Sequence, residues 1–239
     1  MKLKESIIKR RSIRKYEMEE LTEEQLTEIK VAIKNIKPLF SDVGKFSYKI
    51  ISHKEFRKTT GGLFRIDAPH YIVFASDKTD EAKLNIGYVG ELAVLKLAEM
   101  NIGTVWLGGA SSKEEGYEIS IAFGKPKEVW RFDQTEAKRK TMTEIATDFS
   151  PEQRAVLEYV RLAPSAMNFQ PWLFSCEEGN IHIYQVKAGG LIAGMKSIKE
   201  MQKIDIGIAI AHFNVVDFTF KNKELLSSKD QKYIGTISF

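Results

Sequence analysis

The chain has 239 residues, of which 43% are hydrophobic and 10% aromatic. That is enough apolar material for a sizeable core, which excludes a disordered polypeptide and leaves room for one large domain or two small ones. The formal charge is only +4, too balanced to imply a polyanionic partner without a local cluster. One cysteine, Cys176, excludes an internal disulfide framework and a cysteine-rich zinc site, and the isolated His53, His70, His182 and His212 form no ligand pair, so no metal is expected.

The first residues, "MKLKESIIKRR", have no apolar core of the secretory kind, and no run of eighteen apolar residues follows anywhere. The expectation is a cytoplasmic protein with no membrane partner. Residues 4–10 predict a short helix running into the basic octapeptide "KRRSIRKY" (9–16), which holds Arg10, Arg11, Ser12 and Arg14. Taken alone, that cluster fits a solvated helix end, a nucleic-acid arm or a socket for one small anion. Thr22 and Gln25 form a capping box before a helix whose Leu26, Ile29, Ile33 and Ile36 share one face. Strands are predicted over 45–52 and 68–77, the second buried by its β-branched and aromatic centre. Residues 82–100 predict a long helix at the heart of the fold, having few charges in its middle. A strand over 103–109 runs into the Leu107-Gly108-Gly109 turn, and another over 117–126 stops at Gly124 and Pro126. Residues 127–148 are polar, carry the "KRK" cluster (138–140) and read as a linker folded over the surface.

After the linker the pattern restarts. Ser150 as N-cap, Pro151 at the first helical position and Gln153 repeat the earlier helix start. Thr22 matches Ser150, Gln25 matches Gln153, Ile29 matches Leu157, and Pro38 and Pro164 follow their respective helices. "NIGYVGELA" (85–93) then matches "DIGIAIAHF" (205–213), and "YEISIAF" (117–123) matches "YIGTISF" (233–239). Three weak matches in one order predict an internal duplication, with halves at 1–148 and 149–239 packed about a pseudo-twofold axis. The densest special sequence is "LAPSAMNFQPWLF" (162–174), where Pro164, Ser165, Ala166, Asn168 and Gln170 make a turn of small and amide residues. Such a turn either merely links a helix to a strand or lets a planar ligand approach the backbone.

"KRRSIRKY" followed by "LTEEQL" resembles the opening of the flavin-dependent nitroreductase family. "APSAMNFQPW" resembles that family's helix-to-strand motif, and "IDAPHYIVF", "NIGTVWLGG", "AFGKP" and "KRK" resemble its later segments in order. The resemblance covers nearly the whole chain. It implies an α+β fold of central antiparallel or mixed sheets flanked by helices, and flavin mononucleotide (FMN) as cofactor. Family members are homodimers with the sites at the interface, the Arg-rich opening and terminal basic residues coming from one subunit and the Pro-Ser turn from the other. Here the slot after the first helix, "KPLFSDVGKFSYKI" (37–50), keeps a proline but lacks the Ser-Ala-x-Asn pattern, and the second half lacks the Arg-rich opening and reaches Phe239 before any KRK counterpart. The two halves have lost complementary parts, so the resemblance implies one FMN site within a pseudo-dimer that is a monomer or a weak oligomer.

By that resemblance Arg10, Arg14 and Arg139, with Ser12, bind the phosphate and ribityl chain, with Arg11 and Lys138 beside them. Asn168 and Ser165 bond the ring edge. Pro164, Ala166 and Gln170 pack close to the cofactor, and Leu107, Gly108 and Gly109 offer backbone N–H groups. No Ser-His-Asp pattern, paired carboxylate or P-loop appears, so no catalytic side chain is assigned, as suits chemistry carried by a cofactor. The leading expectation is an oxidoreductase passing electrons from NADH or NADPH to a small electron-poor acceptor such as a nitroaromatic or quinone. The alternatives are a non-catalytic FMN-binding or storage protein, and a divergent chemistry such as reductive dehalogenation. Nucleic-acid binding is disfavoured because no helix-turn-helix, zinc finger or aromatic platform accompanies the basic cluster.

Overall fold

The computed structural model of the chain describes residues 2–62, 66–186, 196–222, 227 and 230–239. Helix α1 (Lys2–Lys9) leads through the basic octapeptide to α2 (Glu23–Lys34). Then come β1 (Phe46–Ser52), α3 (His53–Thr59), β2 (Thr60–Gly62), β3 (His70–Ser76), α4 (Asp80–Glu99), β4 (Gly103–Trp106), β5 (Ala110–Ser112) and β6 (Tyr117–Gly124). After α5 (Met142–Ile145) and β7 (Ala146–Thr147), the chain continues with α6 (Pro151–Val160), β8 (Trp172–Glu177), β9 (Asn180–Val186), α7 (Lys196–Ala211), β10 (Thr219–Lys221) and β11 (Gln231–Ser238).

The helix starts obey their local chemistry. Thr22 and Gln25 exchange reciprocal side-chain bonds ahead of α2, and Ser150 and Gln153 do the same ahead of α6, where Pro151 supplies a preset φ at the first position. Ile29 and Leu157, matched in the sequence, are both fully buried. Sheet one has the order β1-β3-β6-β4, and sheet two has β10-β11-β9-β8-β7. Read from the strand after each capped helix, the orders β1-β3-β6-β4 and β8-β9-β11-β10 coincide, and every one of these pairings is antiparallel.

Between the sheets α4 packs on α7. Nearly every residue from Ala82 to Ala98 is buried, which explains the weak amphipathicity of that helix. The crossing needs two glycines. A Cβ on Gly87 would stand 2.0 Å from Ile204 O, and one on Gly207 would stand 2.2 Å from Leu84 O. These contacts are reciprocal, since Gly87 and Gly207 each lie three residues after the position that presses on the other. One large core runs through both sheets and both central helices.

The segment 127–148 is more structured than a linker. Met142 and Ile145, three residues apart, bury one side of α5, and Ala146–Thr147 adds to sheet two as a parallel partner of Phe174–Ser175. Two apolar anchors in a charged stretch give too little periodicity to register in sequence. Residues 53–62 likewise form α3 and β2, and β2 pairs with β5 just past the Gly108–Gly109 turn.

Candidate active site: a cation-lined cavity beside β4

The octapeptide is threaded beside β4. Ile13 N–H donates to Thr104 O at 2.9 Å, and the Ile13 side chain fills the space left by Gly103. The Glu128 carboxylate accepts from the backbone N–H groups of Arg14 and Lys15 and is held below its usual range chiefly by the Arg14 bond. These bonds fix the backbone so that the side chains converge on a cavity of about 220 Å³.

That cavity is lined by Arg10, Arg11, Ser12, Arg14, Lys138 and Arg139, so the two basic clusters, remote in sequence, share one wall. It also takes in Arg131, Glu136 and Ala137, which the sequence did not single out. Six basic side chains thus face one carboxylate, and Glu136 is occupied by Phe132 N–H at 2.8 Å. Burial, then the neighbouring Arg10 and Arg131, pushes the Arg139 guanidinium down to about 9; burial and Arg10 push Arg131 down to about 10. Both stay cationic at neutral pH, so the cavity is a cluster of like charges that an anion would relieve.

Arg10 is 2% exposed, and its Nε has no hydrogen-bond partner. Behind it lies Glu91 of α4, 3.8 Å away and fully buried. Glu91 accepts from Trp106 Nε1–H at 2.9 Å and faces His212 Nε2 at 3.2 Å, while His212 Nδ1 faces Tyr159 O at 2.9 Å. Trp106 and the buried histidine are thus framework residues around a buried acid. Arg131 Nη1 donates to Ile8 O at 3.2 Å, capping the C-terminal end of α1, where a cation suits the helix dipole.

Pro164, Ser165, Ala166, Asn168 and Gln170 do not line this cavity; their turn is bonded to the cavity's Lys138 and Arg139. Arg139 donates to Ala163 O (3.0 Å), Leu162 O (3.3 Å) and Asn168 Oδ1 (2.9 Å), and Asn168 Nδ2 donates to Lys138 O (3.0 Å). Lys140 turns away from the cavity, its N–H on Gln170 Oε1 at 2.9 Å and its Nζ on Gln170 O at 3.1 Å. Ser165 Oγ accepts from Gln170 N–H at 2.8 Å, and Ala166 N–H donates to Asp205 Oδ1 at 2.9 Å. The polar atoms of Asn168 and Gln170 therefore fasten the basic "KRK" segment to the turn. Met167, Asn168 and Gln170 all have φ between 49° and 59°, a left-handed conformation rare for such residues, and it is stabilised here by that web of bonds.

Leu107, Gly108 and Gly109 do not line this cavity. Leu107 is buried with its N–H committed to Ser120 O at 2.8 Å, and a Cβ on Gly108 would stand 2.8 Å from Met201 Sδ of α7. Ala166 of the Pro-Ser turn reaches the same helix one turn further on, at Asp205.

A family model described as "Putative TM nitroreductase" matches residues 2–216. The chain belongs to this family. A solved structure of a Thermotoga maritima "putative nitroreductase" superposes with a TM-score of 0.71 at 22% identity, covering 100% of this chain and 94% of that one, and establishes the nitroreductase-like α+β fold. An FMN-dependent nitroreductase from Clostridium difficile is similar over 62% of this chain and 98% of its own, at 20% identity and a TM-score of 0.47. Nitroreductase A from Vibrio parahaemolyticus is similar over 67% and 84%, at 14% identity and a TM-score of 0.45. No curated protein sequence matches the chain. Among the described residues no helix is long and apolar enough to cross a membrane.

Proposed function

We propose that the chain is an FMN-dependent oxidoreductase with one cofactor site, passing electrons from NADH or NADPH to a small electron-poor acceptor such as a nitroaromatic or quinone. The observation that carries this reading is the cavity of six cations built jointly from the Arg-rich opening, the "KRK" segment and Arg131, with the "KRK" segment bonded to the turn that follows α6. A phosphate fits it. Guanidinium groups bind phosphate oxygens bidentately, and Arg10 depresses both Arg131 and Arg139, which marks a crowding of positive charge that an anion would relieve. Arg10, Arg14, Arg139 and Ser12 would hold the phosphate end, Arg11 and Lys138 the rim, and Leu107–Gly109 with Pro164–Ala166 the ring end.

When bound, FMN supplies the electron transfer itself. The protein's part is positioning. Glu91 braces Arg10 from behind, Glu128 fixes the backbone of Arg14, and Asn168 and Gln170 hold Arg139 and Lys140 against the turn. The single-site reading divides the chain into halves 1–148 and 149–239. It is supported by the loop at 37–44, whose backbone is bound up by Asn85.

One observation favours a second reading. Met201 presses on Gly108, so the space over the glycine turn is partly filled, as suits an FMN-binding or storage protein that turns over no acceptor. Loading the purified chain with FMN, counting flavin per chain and exposing it anaerobically to NADH and NADPH separates the two. One yellow flavin per chain, bleached by a nicotinamide, is expected. A flavin that resists both nicotinamides selects storage; two flavins per chain, or none, overturn the single-site assignment. Arg14→Ala, which leaves the Glu128 clamp on the backbone intact, should weaken FMN binding about tenfold through the lost charged hydrogen bond.

A further inference from the structure

The central helices carry a matched pair of buried polar residues in unmatched states. Asn85 on α4 and Asp205 on α7 each lie two residues before the glycine of the helix crossing. Each reaches the segment that follows the capped helix of its own half. Asn85 is 1% exposed and well satisfied: its Oδ1 accepts from Phe40 N–H at 3.0 Å, and its amide donates to Phe40 O at 3.0 Å and Gly44 O at 3.1 Å. Asp205 is 3% exposed, and only its Oδ1 is used, by Ala166 N–H. Its Oδ2 is buried without a partner, a destabilising arrangement in either protonation state.

The position of that oxygen matters. Four residues earlier on α7, Met201 lies against Gly108, so one face of the helix touches both the Leu107–Gly109 turn and the Pro164–Ala166 turn. Those are the turns assigned above to the ring end of the cofactor. We propose that Asp205 is a further cofactor-contacting residue, its free Oδ2 forming a hydrogen bond with the polar edge of the flavin ring held between these turns. The proposal rests on the FMN reading.

Burial drives the carboxyl up to about 7, opposed by the Ala166 N–H, and no charged side chain contributes to that shift. The charged groups on the surrounding elements are committed elsewhere. Arg139 and Lys140 are tied to the turn at Asn168 and Gln170, Lys203 of α7 pairs with Asp80 of α4, and Glu200 of α7 pairs with Lys83. Near neutrality Asp205 therefore holds a proton on part of the population, and in that form it donates to a ring edge whose negative charge grows on reduction.

The test measures the FMN dissociation constant and the flavin midpoint potential from about pH 5 to about pH 9 for wild type, Asp205→Asn, Asp205→Ala and Arg14→Ala. Asp205→Asn reproduces the group that α4 already carries at Asn85 and keeps the bond to Ala166, so it preserves the fold. The expected result is that the pH course of both quantities differs between wild type and Asp205→Asn near pH 7, beyond the bend that reduced flavin and the FMN phosphate give in both, with FMN binding weakened about tenfold in Asp205→Ala. If Arg14→Ala weakens binding while both Asp205 variants follow wild type, this proposal falls and the FMN reading stands. A loss confined to Asp205→Ala, with the wild-type pH course kept in Asp205→Asn, marks a purely structural role and also overturns it. If wild type takes up no FMN, both readings fall together.

Discussion

The loop at residues 37–44 and the turn at residues 164–170 leave equivalent helices and reach equivalent positions on the central pair, but they end in different chemistry. The first is sealed. Asn85 ties it at Phe40 and Gly44, Phe40 packs edge-on against Phe220, and Gly44, at a φ of 69°, lets the backbone press onto Ala82. The second is tied by polar bonds to a segment outside its unit, with Arg139 reaching Leu162, Ala163 and Asn168, and it leaves a carboxyl oxygen unpaired beneath it. The same supersecondary unit can thus be tied within its own half or bonded to a segment from outside it. What decides is whether its polar atoms are spent within the unit or lent outside it.

The sharpest way to break the comparison is at the point both halves share. Gly87→Ala and Gly207→Ala would each drive a methyl group into a carbonyl oxygen of the opposite helix, so each should lower stability by roughly 3 kcal/mol, measured by denaturant midpoint. Nearly equal losses are expected from the reciprocal geometry; a large inequality would show that the helices do not cross symmetrically.

Next in size is a difference in pH response. The folded-state pKa of Asp205 is raised to about 7 from the unfolded value near 3.9, so the folded protein binds the extra proton. Its contribution is fully present below the unfolded value and is lost as pH rises through about 7. Between about pH 5 and pH 9, ligand-free wild type should therefore lose about 3 kcal/mol relative to Asp205→Asn. Parallel stability curves for the two proteins would refute the buried acid. The same pair of measurements on Asn85→Asp should create a similar response in the sealed half.

The smallest effects lie at the helix starts. Thr22→Ala and Ser150→Ala each remove one capping box and should cost about 1 kcal/mol, alike in the two halves, by thermal or denaturant unfolding.

Much of this arrangement was legible in the chain. The two basic clusters, the turn from Pro164 to Gln170 and the repeated capping boxes use residue types whose chemistry is local, so spacing alone exposes them. Arg131 was not legible, because its role depends on the carbonyl of Ile8, which folding brings beside it. Nor were α3 and β2, built from the polar "HKEFRKTTGG" and held by pairing with β5 rather than by any apolar period. Glu91 and Asp205 left a signal that went unread. Each is an acid set among apolar and small neighbours, in "GYVGELAVL" and "IDIGIAIA", and an ionisable group in such a setting has either a buried partner or a reason to lack one.

The crossing of α4 on α7 within a single polypeptide has one more consequence. In an assembly of two identical chains every residue near the twofold axis occurs twice, so an aspartate on the central helix would bury two uncompensated acids. Covalent continuity removes that obligation. The chain keeps an amide at position 85 and places its acid at position 205 alone, and selection can tune one without disturbing the other. Breaking the symmetry halves the electrostatic burden of carrying the group at all.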